Sequence, residues 1–544
     1  MSSCDRRTFI ASSGTALLAA ACAPSAMARG TDHDLVIRGG TLFDGLAVEG
    51  RELDLAIASG RIAEIGPRLS ARGREEIDAR GLAVAPGFVD IHSHGDGSLT
   101  EDPRDESVIR QGVTTIVVGA DGSSRATGAE DKSFSAYFAG LDRLAMGPNV
   151  ASMVGLGSVR GAVIGDKDRP ATADELSRMT AMVERSLADG ACGASSGLEY
   201  TPGAFASLDE LVALCRPLAS RRLPYATHMR NEDDKLLEAI DESIAVARGA
   251  GCPLQISHLK TQGPRNWPKL DVVFKRFEDA RAAGVDVAFD WYPYVAYSTG
   301  LTNLFPVWTR DGGTDAFFAR LADPPVAARI KQEALAKVEL IGGWDNVQIS
   351  SVRTTEDRDV EGKRLGAYAR TRGVDPYEYA IGLLRRSNAN VGMLGFAMSE
   401  DSLDRILAHP LAMVCSDGGG FAIDGPSRRG SPHPRGIGTF PRVLGRYVRE
   451  RKAVTLPQAI MKMTSRPAAR VHLADRGRLV PGFAADVVVF DPARVADTAT
   501  FESPFQYPVG INVVIVNGAV TLRDGQRSAT GSGRVLRALS SVVS

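Results

Sequence analysis

Apolar and polar positions alternate tightly at the two ends of the chain and more loosely between them. The stretches Leu35-Val36-Ile37-Arg38-Gly39-Gly40-Thr41-Leu42-Phe43-Asp44-Gly45, Asp54-Leu55-Ala56-Ile57 and Arg61-Ile62-Ala63-Glu64-Ile65-Gly66 set apolar residues between Gly and Asp-Gly signals. That is strand-and-turn chemistry. Asp486-Val487-Val488-Val489-Phe490-Asp491 and Val513-Val514-Ile515-Val516-Asn517-Gly518 have the same texture. The two ends together predict one small β-sandwich, 34–84 plus 473–537.

The middle, 85–472, follows another rhythm. Short apolar runs end in a polar residue and are followed by helical stretches. The runs include Thr114-Thr115-Ile116-Val117-Val118-Gly119, Gly193-Ala194-Ser195-Ser196-Gly197, Tyr225-Ala226-Thr227-His228, Leu254-Gln255-Ile256-Ser257-His258, Val287-Ala288-Phe289-Asp290 and Leu411-Ala412-Met413-Val414-Cys415-Ser416-Asp417. Helical patterns lie between them at 173–187, 233–248 and 272–283. Strands alternating with helices predict a parallel sheet. The fold class is therefore α/β, a (β/α)8 barrel with a terminal β-sandwich domain. Polar residues at strand ends match the rim where such barrels carry their chemistry. Residues 300–350, rich in Gly, Pro and charge, read as an insertion or lid.

Composition narrows the classes. With 64 basic and 65 acidic residues the net charge is −1, which argues against a nucleic-acid binder. The cysteines at 4, 22, 192, 215, 252 and 415 form no CxxC pair, and no structural disulfide is predicted. The first residues carry a twin arginine, Arg6-Arg7, then a soft apolar run and an Ala26-Met27-Ala28 cleavage signature. Residues 1–28 thus read as a twin-arginine signal, predicting a periplasmic or secreted protein. The apolar run is too short to span a membrane. Cys22 offers a lipid-anchor alternative, weakened by the missing leucine three residues before it.

The metal chemistry comes from histidine placement. His92 and His94 follow the strand Gly87-Phe88-Val89, and residues two apart on an extended segment share a side. Both can face one ion, and zinc favours imidazole. His228 and His258 each end a predicted strand, so four of the eight histidines fall at barrel-end positions. Asp417 ends the last barrel strand, as a metal ligand and proton acceptor or as a turn residue before Gly418. His33, His409 and His472 read as terminal, loop or helix-end residues, and His433 as structural or supporting.

These features resemble the amidohydrolase superfamily. The finer motifs resemble its N-acyl-D-amino-acid deacylase (D-aminoacylase) family. They are Pro86-Gly87-Phe88-Val89-Asp90-Ile91-His92-Ser93-His94, Tyr225-Ala226-Thr227-His228-Met229-Arg230-Asn231-Glu232, Ile256-Ser257-His258-Leu259-Lys260, Tyr292-Pro293-Tyr294, Ser416-Asp417-Gly418 and Gly438-Thr439-Phe440-Pro441-Arg442. The resemblance implies hydrolysis of N-acyl-D-amino acids with one or two zinc ions. It gives His92, His94 and Asp417 a loosely held ion and His228 and His258 a tighter one. It makes Asp417 general base and then acid. It places Tyr200, Lys260 and Arg435 on the substrate α-carboxylate and Ser298 against substrate. The partner would be a small acyl amino acid or short peptide.

Two departures stand out. The family's cysteine ligand is replaced in Gly119-Ala120-Asp121-Gly122 by Asp121, a harder donor. Asp121 reads as a metal ligand, with an Asp-Gly turn as the alternative, and metal identity and number stay open. Leu156 stands where the family commonly has histidine. Hydantoinase-like chemistry lacks its bridging lysine, since 190–200 contains none. A D-residue dipeptidase, or a metal-binding protein without catalysis, are the remaining alternatives.

Overall fold

The computed structural model describes residues 33–528 and 531–538. The expected signal at 1–28, with Cys22, lies outside the described residues. Among them no helix is long and apolar enough to cross a membrane.

Five strands lead the chain: β1 (His33–Leu42), β2 (Arg51–Ala58), β3 (Arg61–Gly66), β4 (Gly73–Asp78) and β5 (Ala83–Pro86). The barrel strands follow. They are β6 (Phe88–Asp90), β7 (Val113–Val118), β8 (Asn149–Ser152) continued by β9 (Val154–Gly155), β10 (Ala194–Gly197), β11 (Tyr225–His228), β12 (Leu254–Ile256) and β13 (Val287–Trp291). Three strands, β14 (Ala296–Gly300), β15 (Val347–Ser351) and β16 (Gly392–Phe396), precede the last barrel strand, β17 (Ala412–Val414). The chain closes with β18 (Val487–Phe490), β19 (Ile511–Val516), β20 (Ala519–Arg523) and β21 (Gln526–Arg527).

β6, β7 and β8 pair in parallel, as do β9 through β13 and then β17. The ring closes where the Asp417 N–H donates to the His92 carbonyl at 2.9 Å and the His94 N–H to Gly418 at 2.8 Å. Amphipathic helices cover the outside. One is Ala173–Ala188, started by a capping box between Thr172 and Glu175 and buried along Met179, Met182, Val183, Ser186 and Leu187.

The β-sandwich expected from the two ends is a β-rich domain whose strands all belong to one nine-stranded sheet drawn from both ends of the chain. β18 pairs with β5, and β1 joins β5 to β2 and β3. Alternation sets its two faces. Val487, Val489, Val513 and Ile515 point into a small core shared with Leu35, Ile37, Leu55 and Ile57. Val488, Phe490, Val514 and Val516 point the other way, into the barrel's apolar core. At this junction the Asn149 side chain donates to Asp486 at 2.9 Å, and Arg476 pairs with the same carboxylate.

The interruption read at 300–350 lies inside a longer excursion. β14, β16 and β15 form a separate antiparallel sheet, with helices such as Pro324–Leu340 and Pro376–Arg386 between its strands. Composition marked only part of it, because β16 and its flanking helix carry ordinary apolar patterning.

Candidate metal and active site

The loops after the barrel strands converge on one cavity of about 930 Å³. His94, Asp121, Tyr200, His228, His258, Lys260, Ser298, Asp417 and Arg435 line it, and His92 lies beneath. Leu156, buried at the start of a helix, does not line it. The four described cysteines are free and buried.

Asp121 sits at the centre. Its Oδ1 is 3.4 Å from His92 Nε2, and its Oδ2 is 3.3 Å from His258 Nε2, 3.5 Å from His94 Nε2 and 3.7 Å from His228 Nδ1. One carboxylate therefore faces both histidine pairs. A close approach of backbones brings it there. A Cβ on Gly197 would lie 2.2 Å from the Asp121 carbonyl, so the loops after β7 and β10 touch only because that residue is glycine.

Asp417 faces the same Nε2 atoms of His92 and His94 as Asp121 does. Its Oδ1 is 3.1 Å from His94 Nε2 and 3.4 Å from His92 Nε2, and its Oδ2 is 2.6 Å from an Arg435 Nη. Asp121, His258 and Asp417 have φ of 50°, 35° and 48°, the left-handed region that L-residues rarely adopt. Such strain clusters at functional sites.

The electrostatics follow from burial and neighbours. Burial alone pushes the Asp417 carboxyl up. The Arg435 guanidinium, with His258 and His92, outweighs it and holds the group well below the usual carboxylate range. Burial pulls His228 down, yet Glu232, Asp121 and Glu199 together push it up to about 10. Without a cation among them, the carboxylates around His92, His94 and His228 hold protons on those three rings. A divalent ion would replace those protons.

The donor set passes a direct test of fit. His92 Nε2, Asp121 Oδ1 and His228 Nε2 are buried and lack hydrogen-bond partners. One ligand atom each from His92, Asp121, His258 and Asp417 falls within a 4.8 Å cluster, and so does one each from His228, Glu232 and His258. Imidazoles and carboxylates converging with orphaned lone pairs suit a divalent transition metal.

The substrate-facing residues are partly engaged with the protein. Lys260 is buried and donates to both oxygens of Glu232, at 2.8 and 3.0 Å. Arg435 lies over the Tyr292 ring at 4.7 Å, and an Nη donates to the Ser298 carbonyl at 3.5 Å. The Tyr200 hydroxyl accepts from Thr299 at 3.3 Å, and its ring packs 4.7 Å from that of His228. The His433 ring is buried, Nε2 2.9 Å from the Ala296 carbonyl, and it accepts the Arg435 N–H through Nδ1. Sequence reasoning missed Glu232, Glu199 and Asp290. Glu199 Oε2 is 3.6 Å from His228 Nε2. Each sits one to four residues from a strand end, which was the available signal.

Histidines and aspartates converging on the C-terminal rim of a parallel barrel, beside a β-rich unit, define a metal-dependent amidohydrolase. The sequence pattern of the amidohydrolase family matches residues 75–290 and 420–522. The D-aminoacylase of Alcaligenes xylosoxydans xylosoxydans is 36% identical, covering 92% of this chain and 97% of the relative. The N-acyl-D-glutamate deacylase of the same organism is 37% identical, covering 93% and 96%. The solved N-acyl-D-glutamate deacylase of Bordetella bronchiseptica, complexed with zinc and a phosphonate inhibitor, superposes with a TM-score of 0.80. It is 37% identical, over 93% of this chain and 99% of that one. The chain belongs to the N-acyl-D-amino-acid deacylase (D-aminoacylase) family of the amidohydrolases.

Proposed function

We propose that this protein hydrolyses the amide of N-acyl-D-amino acids, releasing a carboxylic acid and a free D-amino acid. The observation that carries the reading is Asp417, a buried carboxylate held between His94 and Arg435 and facing the orphaned donors of His92 and Asp121. One or two zinc ions fit the set His92, His94, Asp121, His228, His258 and Asp417. Bound there, zinc polarises a carbonyl oxygen and lowers the pKa of water to about 7.

The chain's residues supply the rest. Asp417 Oδ1 accepts the proton of the attacking water and passes it to the departing amine nitrogen. Arg435 holds that carboxylate ionised until then. Arg435, Lys260 and the Tyr200 hydroxyl bind the substrate α-carboxylate by charge-assisted hydrogen bonds, with Ser298 at the same wall. Glu232 keeps the Lys260 ammonium in place beforehand. The preference for D-configured substrates rests on the relatives named above. Export through a twin-arginine signal, to the periplasm or beyond, belongs to the same proposal and rests on residues 1–28.

The test is free-amine release from a panel of N-acetyl D- and L-amino acids, using protein reconstituted with zinc. The cavity volume leaves room beyond an acetyl group, so longer acyl chains and D-residue dipeptides join the panel. Release from D-substrates alone supports the reading. Release from L-substrates at equal rates, or from none of the panel, overturns it. Export is tested by fractionation: a mature chain in the periplasm that becomes cytoplasmic when Arg6 and Arg7 are both changed to Lys supports it, and unchanged distribution refutes it.

A further inference from the structure

One carboxylate behind the site has no part in the chemistry above. Asp290 lies in β13, is 1% exposed, and does not line the cavity. Its Oδ1 is 3.2 Å from His92 Nδ1 and accepts the backbone N–H of His258 at 2.7 Å. Its Oδ2 accepts the Gln255 side-chain amide at 2.7 Å. Its own backbone carbonyl accepts the N–H of Leu259 at 2.8 Å.

Two of these contacts bear directly on histidines that face Asp121, His92 and His258, and the Leu259 contact on the turn that carries His258. An ionised carboxylate only accepts, so His92 Nδ1 must carry a proton toward Asp290. The Nε2 lone pair is then left for the side where Asp121 and Asp417 lie. A bare imidazole has two tautomers of similar energy, and the Asp290 carboxylate is the acceptor that faces His92 Nδ1. His258 is different. β12 has ended at Ile256, and the chain turns through a left-handed φ of 35° that a histidine seldom takes. Asp290 holds two successive N–H groups of that turn, through its side chain for His258 and its backbone for Leu259. This aims His258 Nε2 to within 3.3 Å of Asp121 Oδ2.

We propose that Asp290 is a positioning residue shared by the two histidine pairs, fixing the His92 tautomer and pinning the backbone of His258. The inference rests on the metal-dependent reading above. It follows the general pattern in which a ligating histidine donates its second N–H to a carboxylate, whose loss weakens metal binding about 10- to 100-fold. Here a single oxygen serves two histidines from different strands.

The experiment uses the full chain carrying Asp290→Ala or Asp290→Asn. Zinc affinity is measured by chelator competition, and visible spectra are recorded after cobalt substitution. Zinc is expected to bind about 10- to 100-fold more weakly to Asp290→Ala, with shifted cobalt bands. Asp290→Asn keeps an acceptor oxygen without the charge and is expected to lie between. A purely structural role would lower stability yet leave the cobalt bands of the folded protein in place. Wild-type zinc affinity and wild-type bands in Asp290→Ala overturn the inference. If that variant does not fold, the same result in Asp290→Asn overturns it. A wild-type protein that binds neither zinc nor cobalt overturns the metal reading instead, and so separates the two failures.

Discussion

Replacing Asp417 with Asn keeps the shape of the side chain and removes its charge. Two consequences follow from the geometry, and they separate. The first concerns stability. Asp417 and Arg435 are each 6% exposed and lie 2.6 Å apart, so the variant strands a buried guanidinium. Removing one partner of a buried pair costs about 3–5 kcal/mol. The urea midpoint of metal-free Asp417→Asn should fall accordingly. Removing both charges, in Asp417→Asn with Arg435→Met, should recover most of that loss, because neither ion is then unpaired. The second consequence concerns catalysis. An amide cannot take the proton from water, so turnover should drop about 10²- to 10⁴-fold with zinc in excess. It should not recover in the double variant. Amine release and urea titration on the three proteins decide the matter. Wild-type turnover in Asp417→Asn would falsify the general-base assignment, and recovery of turnover in the double variant would show that the stranded arginine caused the loss.

Lys260→Met should raise KM more than it lowers kcat, and a substrate lacking the α-carboxylate should be a poor one; equal hydrolysis of that substrate refutes the clamp. Asp121→Cys should raise the ratio of zinc to manganese retained after equimolar exposure, because a thiolate is the softer donor; an unchanged ratio by elemental analysis removes Asp121 from the ligand set. Asp105→Asn should stabilise the protein at alkaline pH. Neither oxygen of this buried carboxyl meets a donor, and burial, then the Asp102 charge, raise it from 3.8 to about 8. A raised carboxyl costs stability progressively above the unfolded value, fully so above pH 8. Urea midpoints should therefore coincide near pH 4 and favour the variant at pH 8.5, the left-handed φ of 48° being one that Asn tolerates. A variant weaker at pH 8.5 refutes the account.

The site's donors were legible because strand ends bring their chemistry to one rim. His92, His94, His228, His258 and Asp417 each close or closely follow an apolar run, and a parallel barrel places such residues together without further information. Supporting residues are a different case. Asp290 also ends a run, yet nothing local shows that its oxygen meets His92 and His258, residues far away along the chain. The resemblance places Lys260 on the substrate α-carboxylate, but its protein partner Glu232, reached through a loop, leaves no periodic mark. The fold shows the same division. The apolar runs of β18 and β19, bounded by Asp and Asn-Gly, announced strands, while two ends of similar texture gave only a shared β-unit and not the pairing of β18 with β5. The excursion before β17 was under-read because its third strand, β16, has the composition of a barrel strand.

The pairing of β5 with β18 also orders events in time. Val84 meets Val489 in the ladder, and a single glycine, Gly87, separates β5 from the first barrel strand, β6. A growing chain therefore presents β5 with an open edge until its last strands emerge. Contacts so distant in sequence form slowly, and an open strand edge invites pairing with other chains. A chain stopped before residue 487 would lack β18 to β21 and expose the apolar face of β1, β2 and β5, making arrest in this region a source of aggregation rather than of a smaller working enzyme.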